Sequence, residues 1–136
     1  MDEKDVIRQI ISDEFLEELF PEGRADEFFE AIYGGVEDGA FDIALKFCGF
    51  DEKRRELFLE YRLTERPGKC MACSLTRGLP SVFERHPIID INGSVRRIDK
   101  KLGAGWEVME WTVGATSPIA PKVNVIPLCI KFKTEG

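Results

Sequence analysis

Apolar positions near the start of the chain recur with the spacing of an amphipathic helix. Over residues 3–19 they fall three or four positions apart with acidic residues between them, which predicts one helix that stops before Pro21. A second helix is predicted over residues 24–33, where Gly34-Gly35 provides a natural end. The chain therefore begins with a helical segment, over residues 1–35.

The hydrophobic period changes to two after the helical segment, as expected for strands with one buried face. Large apolar residues alternate with polar ones over residues 41–47 and again over 57–63, and we interpret residues 40–64 as a β-hairpin. Helix is the competing interpretation of residues 51–63, because Glu, Arg and Leu are good helix formers. Strand is favoured because four successive apolar positions keep the spacing of two.

The middle of the chain predicts a loop followed by a helix. Residues 66–80 form the loop, and Pro80 can begin a short helix that ends before Pro87. The longer helix is predicted over residues 94–102, with Asn92-Gly93-Ser94 as the turn or cap that leads into it. This helix would connect two pairs of strands.

The last third of the chain predicts two more strands, over residues 106–113 and 122–133. Strict alternation in the first of them puts Val108 and Trp111 on opposite faces. The segment 114–121 between the strands is rich in Gly and Pro, and we expect a loop that cannot sustain a hydrogen-bonded ladder.

The order of elements, α-α-β-β-α-β-β, predicts an α+β fold. Two N-terminal helices are followed by a four-stranded, mainly antiparallel sheet in β-β-α-β-β order with one crossover helix. We expect a single domain over residues 1–136, in which residues 1–35 pack on the sheet segment 40–133. The crossover helix would cover one sheet face and the first two helices the other. Pro127 lacks an N–H, so the last strand is expected at a sheet edge or with a bulge.

Length and composition agree with one domain that has its own core. The chain has 136 residues, 43% of them apolar, and a formal net charge of −6. This charge argues against a general nucleic-acid partner, which needs a basic surface. No apolar run is long enough for a membrane helix, and the first residues are too acidic for a signal peptide. We therefore expect a soluble cytoplasmic protein with no membrane partner.

The net charge is unevenly distributed along the chain. Residues 1–52 carry 16 acidic and 4 basic residues, residues 53–101 carry 6 acidic and 12 basic residues, and residues 102–136 carry 3 of each. Such segmentation indicates different faces of one fold, or an acidic element lying near a basic one. The ordinary interpretation is solvated surface charge; the functional one is a basic segment that meets an anionic ligand.

The basic segment contains the candidate anion-binding residues. The turn before the predicted helix could also present backbone N–H groups at a helix N-terminus, where anions bind well. The competing interpretation is a solvated helix face. The candidate anion-binding residues are Arg77, Arg85, Arg96 and Arg97.

A Cys-x-x-Cys pair in the loop is the strongest chemical signal. Two thiolates with a two-residue spacer can converge on a tetrahedral metal such as zinc. Cys70 and Cys73 would supply two ligands and His86 a third. The fourth ligand would come from water or from one of four side chains: Cys48, Cys129, Glu84 or Asp90.

Two other interpretations of Cys70 and Cys73 stay open. Basic neighbours stabilise a thiolate, so the pair could be redox-active, although Gly78 and Pro80 limit the helix that thioredoxin-like motifs place after it. The pair could also be structural or incidental. Outside the motif, free cysteines are commonly small buried hydrophobes, and His86 could be a surface or capping residue.

These observations favour a small non-catalytic binding or interaction domain whose CxxC loop is tied by zinc or is structural. The sequence holds no P-loop, no GxGxxG and no GxSxG, so an enzyme is disfavoured. The alternative is a thiol-disulfide redox protein that uses Cys70 and Cys73. A third possibility is a binder of anionic small molecules, so the expected partner is another protein or an anionic small molecule.

Overall fold

The structure is a computed structural model that describes residues 3–33, 41–68, 83–103 and 105–133. Within these ranges the chain forms four helices of at least seven residues and one five-stranded antiparallel sheet, so the predicted α+β class is confirmed. The helices are α1 (Glu3–Ile10), α2 (Asp13–Leu19), α3 (Arg24–Tyr33) and α4 (Ile91–Leu102). The strands are β1 (Phe41–Asp51), β2 (Glu56–Glu65), β3 (Val108–Val113), β4 (Ser117–Ala120) and β5 (Val123–Phe132).

The N-terminal helical segment contains a break that the apolar spacing does not show. The single helix predicted over residues 3–19 is wrong, because the chain leaves helical geometry at Ser12. The Ser12 hydroxyl accepts a hydrogen bond from the backbone N–H of Phe15 at 3.2 Å and so caps α2. The predicted end before Pro21 and the helix over residues 24–33 are both confirmed, whereas Gly34-Gly35 lies outside the described residues.

The predicted β-hairpin is confirmed as β1 and β2, and the competing helix over residues 51–63 is wrong. Both strands are longer than predicted, and a bulge at Cys48 shifts the register between Phe47 and Gly49. The Asp51 carboxylate accepts the backbone N–H groups of Lys53 and Arg54 at 3.0 and 3.1 Å, which fixes the turn between the strands.

The last strand, β5, lies in the middle of the sheet, so its expected edge position is wrong. The strand order is β1-β2-β5-β3, with β4 also paired to β5. The carbonyl of Pro127 accepts from the Gly114 N–H at 2.9 Å, so the nitrogen of Pro127 points toward the same side. On that side Pro127 lies between the residues of β5 that pair with β3 and those that pair with β4, so its missing N–H falls at the break between these two strands.

The segment 114–121 does pair, contrary to the expectation of a loop. Its second half is β4, in which Ser117 lies opposite Val125 and Ala120 opposite Val123. Pro118 is tolerated because β4 is an edge strand, which among the described residues pairs with β5 alone. The five observed strands therefore replace the four predicted ones.

One face of the sheet carries the core, and all four helices contribute to it. Helix residues such as Leu16, Phe28 and Ile98 join the inward-facing residues of the strands in a single cluster of buried side chains. The expectation that helices cover both faces is wrong. In the described residues no helix covers the second face, which we call the open face; Phe58 on it is 36% exposed, whereas Val125 is 7% exposed. The inward-facing residues of the two central strands are Leu57, Leu59, Tyr61, Leu63, Ile126, Leu128, Ile130 and Phe132.

The crossover helix α4 begins three residues earlier than predicted. Asp90 is its N-cap, with a left-handed backbone and a side chain that accepts from the Gly93 N–H at 3.1 Å. A Cβ atom on Gly93 would overlap the Asp90 carboxylate, so this cap needs glycine at that position. Asn92-Gly93-Ser94 is thus the first turn of the helix and not a turn before it. Of the short helix predicted before Pro87, residues 83–85 are described and are helical.

A bulge in β3 overturns the predicted faces of that strand. The register shifts between Val108, which lies opposite Phe132, and Glu110, which lies opposite Lys131. Trp111 then lies opposite Ile130 and faces the helices, as Val108 does. Strict alternation fails here because the extra residue of the bulge changes the phase.

Candidate functional site

Part of the predicted metal site lies outside the described residues. Cys70, Cys73 and the candidate anion ligand Arg77 all belong to the segment 69–82 that the structure leaves undescribed. The metal, redox and structural interpretations of the CxxC pair therefore stay predictions.

His86 follows the helical residues 83–85 and is anchored on the helix side of the sheet. Its ring packs edge-on against Phe28, with the ring centroids 5.0 Å apart. Its Nδ1 accepts a hydrogen bond from the backbone N–H of Ile88 at 3.2 Å. A neutral imidazole that accepts at Nδ1 carries its proton on Nε2, so metal binding at Nε2 would require this hydrogen bond to be given up.

The candidate ligands Cys48 and Cys129 lie on the open face of the sheet, opposite the helices that hold His86. Cys129 lies beside Phe58 in the strand register, and both cysteines are free. The structure therefore does not bring either thiol together with His86. Among residues 3–33, 41–68, 83–103 and 105–133, no three His, Cys, Asp or Glu side chains form a group that could hold a metal ion.

The Cys48 thiol is held in its neutral form. It donates to the Glu60 carboxylate at 3.0 Å, and Arg62 pairs with the other oxygen of that carboxylate at 2.9 Å. Partial desolvation and the Glu60 carboxylate raise the pKa of Cys48 to about 12. Desolvation also raises the pKa of Cys129. Neither thiol has the lowered pKa that is typical of reactive cysteines.

The candidate anion-binding arginines that lie in the described residues have different surroundings. Arg97 faces α2, where it donates to the Glu18 carbonyl at 3.4 Å, so the predicted proximity of an acidic and a basic element holds for α2 and α4. Arg96 lies on the other side of α4, and Arg85 is exposed at the end of the helical residues 83–85. An anion at the N-terminus of α4 would meet the Asp90 carboxylate, which already occupies that position.

A groove between α4 and β3 is a concave site beside an open sheet edge. One side of α4 lines it over two turns, at the i, i+3, i+4 and i+7 positions, and β3 forms the opposite wall. The volume of the groove is about 320 Å³. The indole N–H of Trp111 donates to the Asn92 side-chain oxygen at 2.9 Å and joins the two walls. The groove is lined by Asn92, Val95, Arg96, Asp99 and residues 108–111.

The backbone of β3 is available along this groove. β3 is the last strand of the sheet, and within the described residues only β5 pairs with it. The Gly114 N–H points toward β5, and backbone groups alternate along an antiparallel strand. The N–H and C=O groups of Trp111 and Val113 therefore point away from the sheet, where a further strand could accept and donate hydrogen bonds.

The sequence could not reveal this groove because its walls come from separate elements. Trp111 reads as an ordinary core residue of a strand, and Asn92 as part of a turn. Their contact depends on the bulge that turns Trp111 toward α4 and on the earlier start of the helix. Of this groove, the sequence indicated only the basic character of α4, through the charge distribution.

Comparison of the chain with protein-family models, curated proteins and solved structures gives no significant match. Among the described helices, none combines the length and the apolar character required to cross a membrane.

Proposed function

We propose that the protein is a non-catalytic interaction domain that binds an extended segment of another chain at the edge of β3. The observation that carries this proposal is the open edge of β3 beside the α4 groove. Strand addition to such an edge uses main-chain hydrogen bonds for affinity and pockets for alternate side chains for specificity. The outward N–H and C=O groups of Trp111 and Val113 supply the main-chain hydrogen bonds. The groove beside α4 supplies the side-chain pockets.

Peptide selection tests this proposal without altering the protein. Random peptides would be selected on the wild-type chain, and each selected peptide would be made in two N-methylated forms, methylated at odd or at even positions. Because every second N–H of an added strand bonds to the edge, one form should lose binding and the other should retain it. Isothermal titration calorimetry measures both.

Amide hydrogen exchange locates the binding. A bound peptide should slow exchange at the N–H groups of Trp111 and Val113, while the Thr112 N–H, which faces β5, serves as the internal control. Failure to select any peptide of measurable affinity would contradict the proposal, and so would equal binding by the two methylated forms.

We also propose that the CxxC loop is tied by zinc or is structural, as the two-thiolate spacing favours. If zinc is bound, freshly purified protein should contain about one zinc ion per chain, and Cys70→Ser and Cys73→Ser should each lose it. Cys48→Ser and Cys129→Ser are the matched controls, and both should keep the zinc, because these thiols lie on the open face of the sheet and His86 lies on the other. Metal-free protein of full stability would leave the structural interpretation and remove the zinc one.

The expected cytoplasmic location belongs to the same proposal.

A further inference from the structure

The sheet has a second edge, and it too runs beside a groove under a helix. β1 is the first strand in the order β1-β2-β5-β3, and within the described residues only β2 pairs with it. The groove between β1 and α2 has a volume of about 330 Å³. It is lined by Asp13, Glu17, Phe20, Glu22 and residues 42–46.

The helices beside the two edges carry opposite charge, while each strand wall holds one residue of the other sign, Glu110 on β3 and Lys46 on β1. Beside β3, Arg96 and Lys100 lie one helical turn apart on the exposed side of α4, with Asp99 as the single acid between them. Beside β1, α2 and the residues after it present Glu17 and Glu22 to solvent. Of the other acids in the β1 groove, Asp13 is already paired with Arg8 and Asp42 with Arg66, at 2.8 and 3.0 Å.

The strand directions allow the two edges to join. Every neighbouring pair in the order β1-β2-β5-β3 is antiparallel, so β1 and β3 run in opposite directions. A second copy placed beside the first in the same orientation therefore sets its β1 antiparallel to the β3 of the first copy. The four helices α1 to α4 lie on one face of the sheet, so α2 of the second copy would lie next to α4 of the first.

We propose that the partner at the β3 edge is a second copy of this chain, bound head to tail through its β1 edge. This assignment rests on the proposed strand addition at β3 and names the segment that is added. Complementary charge supports it, because the acidic side of α2 would face the basic side of α4 across the new strand pair.

Charge also decides between the head-to-tail arrangement and a symmetric one. A two-fold dimer through β3 would set α4 beside α4 of the other copy, so Arg96 and Lys100 would make both sides of the contact basic. A two-fold dimer through β1 would oppose Glu17 and Glu22 in the same way. Like charges placed together disfavour both symmetric dimers, whereas the heterologous contact pairs opposite charges.

The contact is short, so the assembly should be weak and reversible. The bulge at the start of β3 ends regular pairing on one side, and Pro118 in β4 limits it on the other. Features of this kind restrain edge strands from uncontrolled pairing. The expected behaviour is association that rises with protein concentration and falls with salt.

Sedimentation velocity of the full chain over a concentration series at about 50 mM salt tests the proposal. The double variants Arg96→Glu/Lys100→Glu and Glu17→Lys/Glu22→Lys should each weaken association by roughly tenfold. An equimolar mixture of the two variants should associate as strongly as the wild type, because each reversed edge then meets a complementary one.

Matched controls keep the net charge the same and leave the two edges untouched. Lys53→Glu/Arg54→Glu, in the β1–β2 turn, corresponds to the α4 variant, and Glu27→Lys/Glu30→Lys, on α3, corresponds to the α2 variant; all four residues are exposed. Controls that weaken association as much as the edge variants would overturn the proposal. So would a mixture no more associated than its components.

A wild type that stays monomeric would also overturn the proposal, and its meaning for the proposed function would depend on the peptide experiment. Selected peptides that still protect the Trp111 and Val113 amides would leave strand addition in place with a different partner. Absence of both peptide binding and self-association would remove both proposals.

Discussion

Truncating Leu59 to alanine is expected to lower the free energy of unfolding by about 3 kcal/mol, whereas the same truncation at the neighbouring Phe58 should cost less than about 1 kcal/mol. Leu59 is 1% exposed and faces the helices, while Phe58 is 36% exposed on the open face. Leu59→Ala would therefore leave a cavity in the core, and Phe58→Ala would remove a ring that is only partly covered. The larger side chain should thus have the smaller effect.

Urea unfolding followed by tryptophan fluorescence measures both losses. The adjacent pair on β5 provides a matched repeat, with Leu128→Ala as the core variant and Cys129→Ala as the open-face variant. Leu128 is 1% exposed. Equal losses at Leu59 and Phe58 would contradict the one-sided sheet and would mean that a further layer covers the second face.

Elements whose pattern is decided by local burial could be predicted from the sequence. The alternation in β2 is visible because Leu57, Leu59 and Leu63 face the same core, and the side chains between them face outward. Helix α3 was predicted with its observed bounds for the same reason. The cap at Ser12 was also accessible, since a serine followed by Asp13 and Glu14 is a typical helix start.

Sheet order and bulges depend on contacts between residues distant in the chain. β5 pairs with β2 as well as with β3, but its sequence alternates in the same way as an edge strand would. Pro127 favoured an edge position, and only the break between β3 and β4 explains how a central strand accommodates it. The bulge in β3 likewise could not be predicted, because no residue type in that strand is typical of a bulge.

The candidate site followed the same division. The charge distribution indicated either different faces of one fold or an acidic element near a basic one, and the contact of Arg97 with the Glu18 carbonyl brings basic α4 next to acidic α2. The groove itself could not be predicted from the sequence, because Asn92 and Trp111 meet only through the position of α4 beside β3. Sequence reasoning therefore found the charge of the proposed interface and missed its shape.

Arg55→Ala is expected to lower the free energy of unfolding by about 2 kcal/mol, although this arginine lies in a surface turn. Its guanidinium donates to the carbonyls of Gly105 and Lys133 at 3.1 and 3.3 Å, and it lies 4.1 Å from the ring centre of Trp106. It also approaches the Glu3 carboxylate at 3.5 Å. One side chain thus ties the β1–β2 turn to the chain before β3, to the end of β5 and to α1.

A glycine variant of the same residue separates the effect of losing the side chain from the effect of backbone strain. Arg55 has a φ of 51°, a conformation that glycine adopts freely, so Arg55→Gly should be less damaging than Arg55→Ala by about 1 kcal/mol. Lys122 is the matched control, because it also has a positive φ, 64°, and its side chain is exposed. Urea unfolding should show only a small loss for Lys122→Ala. Equal losses for Arg55→Ala and Lys122→Ala would show that the contacts of the guanidinium contribute nothing to stability.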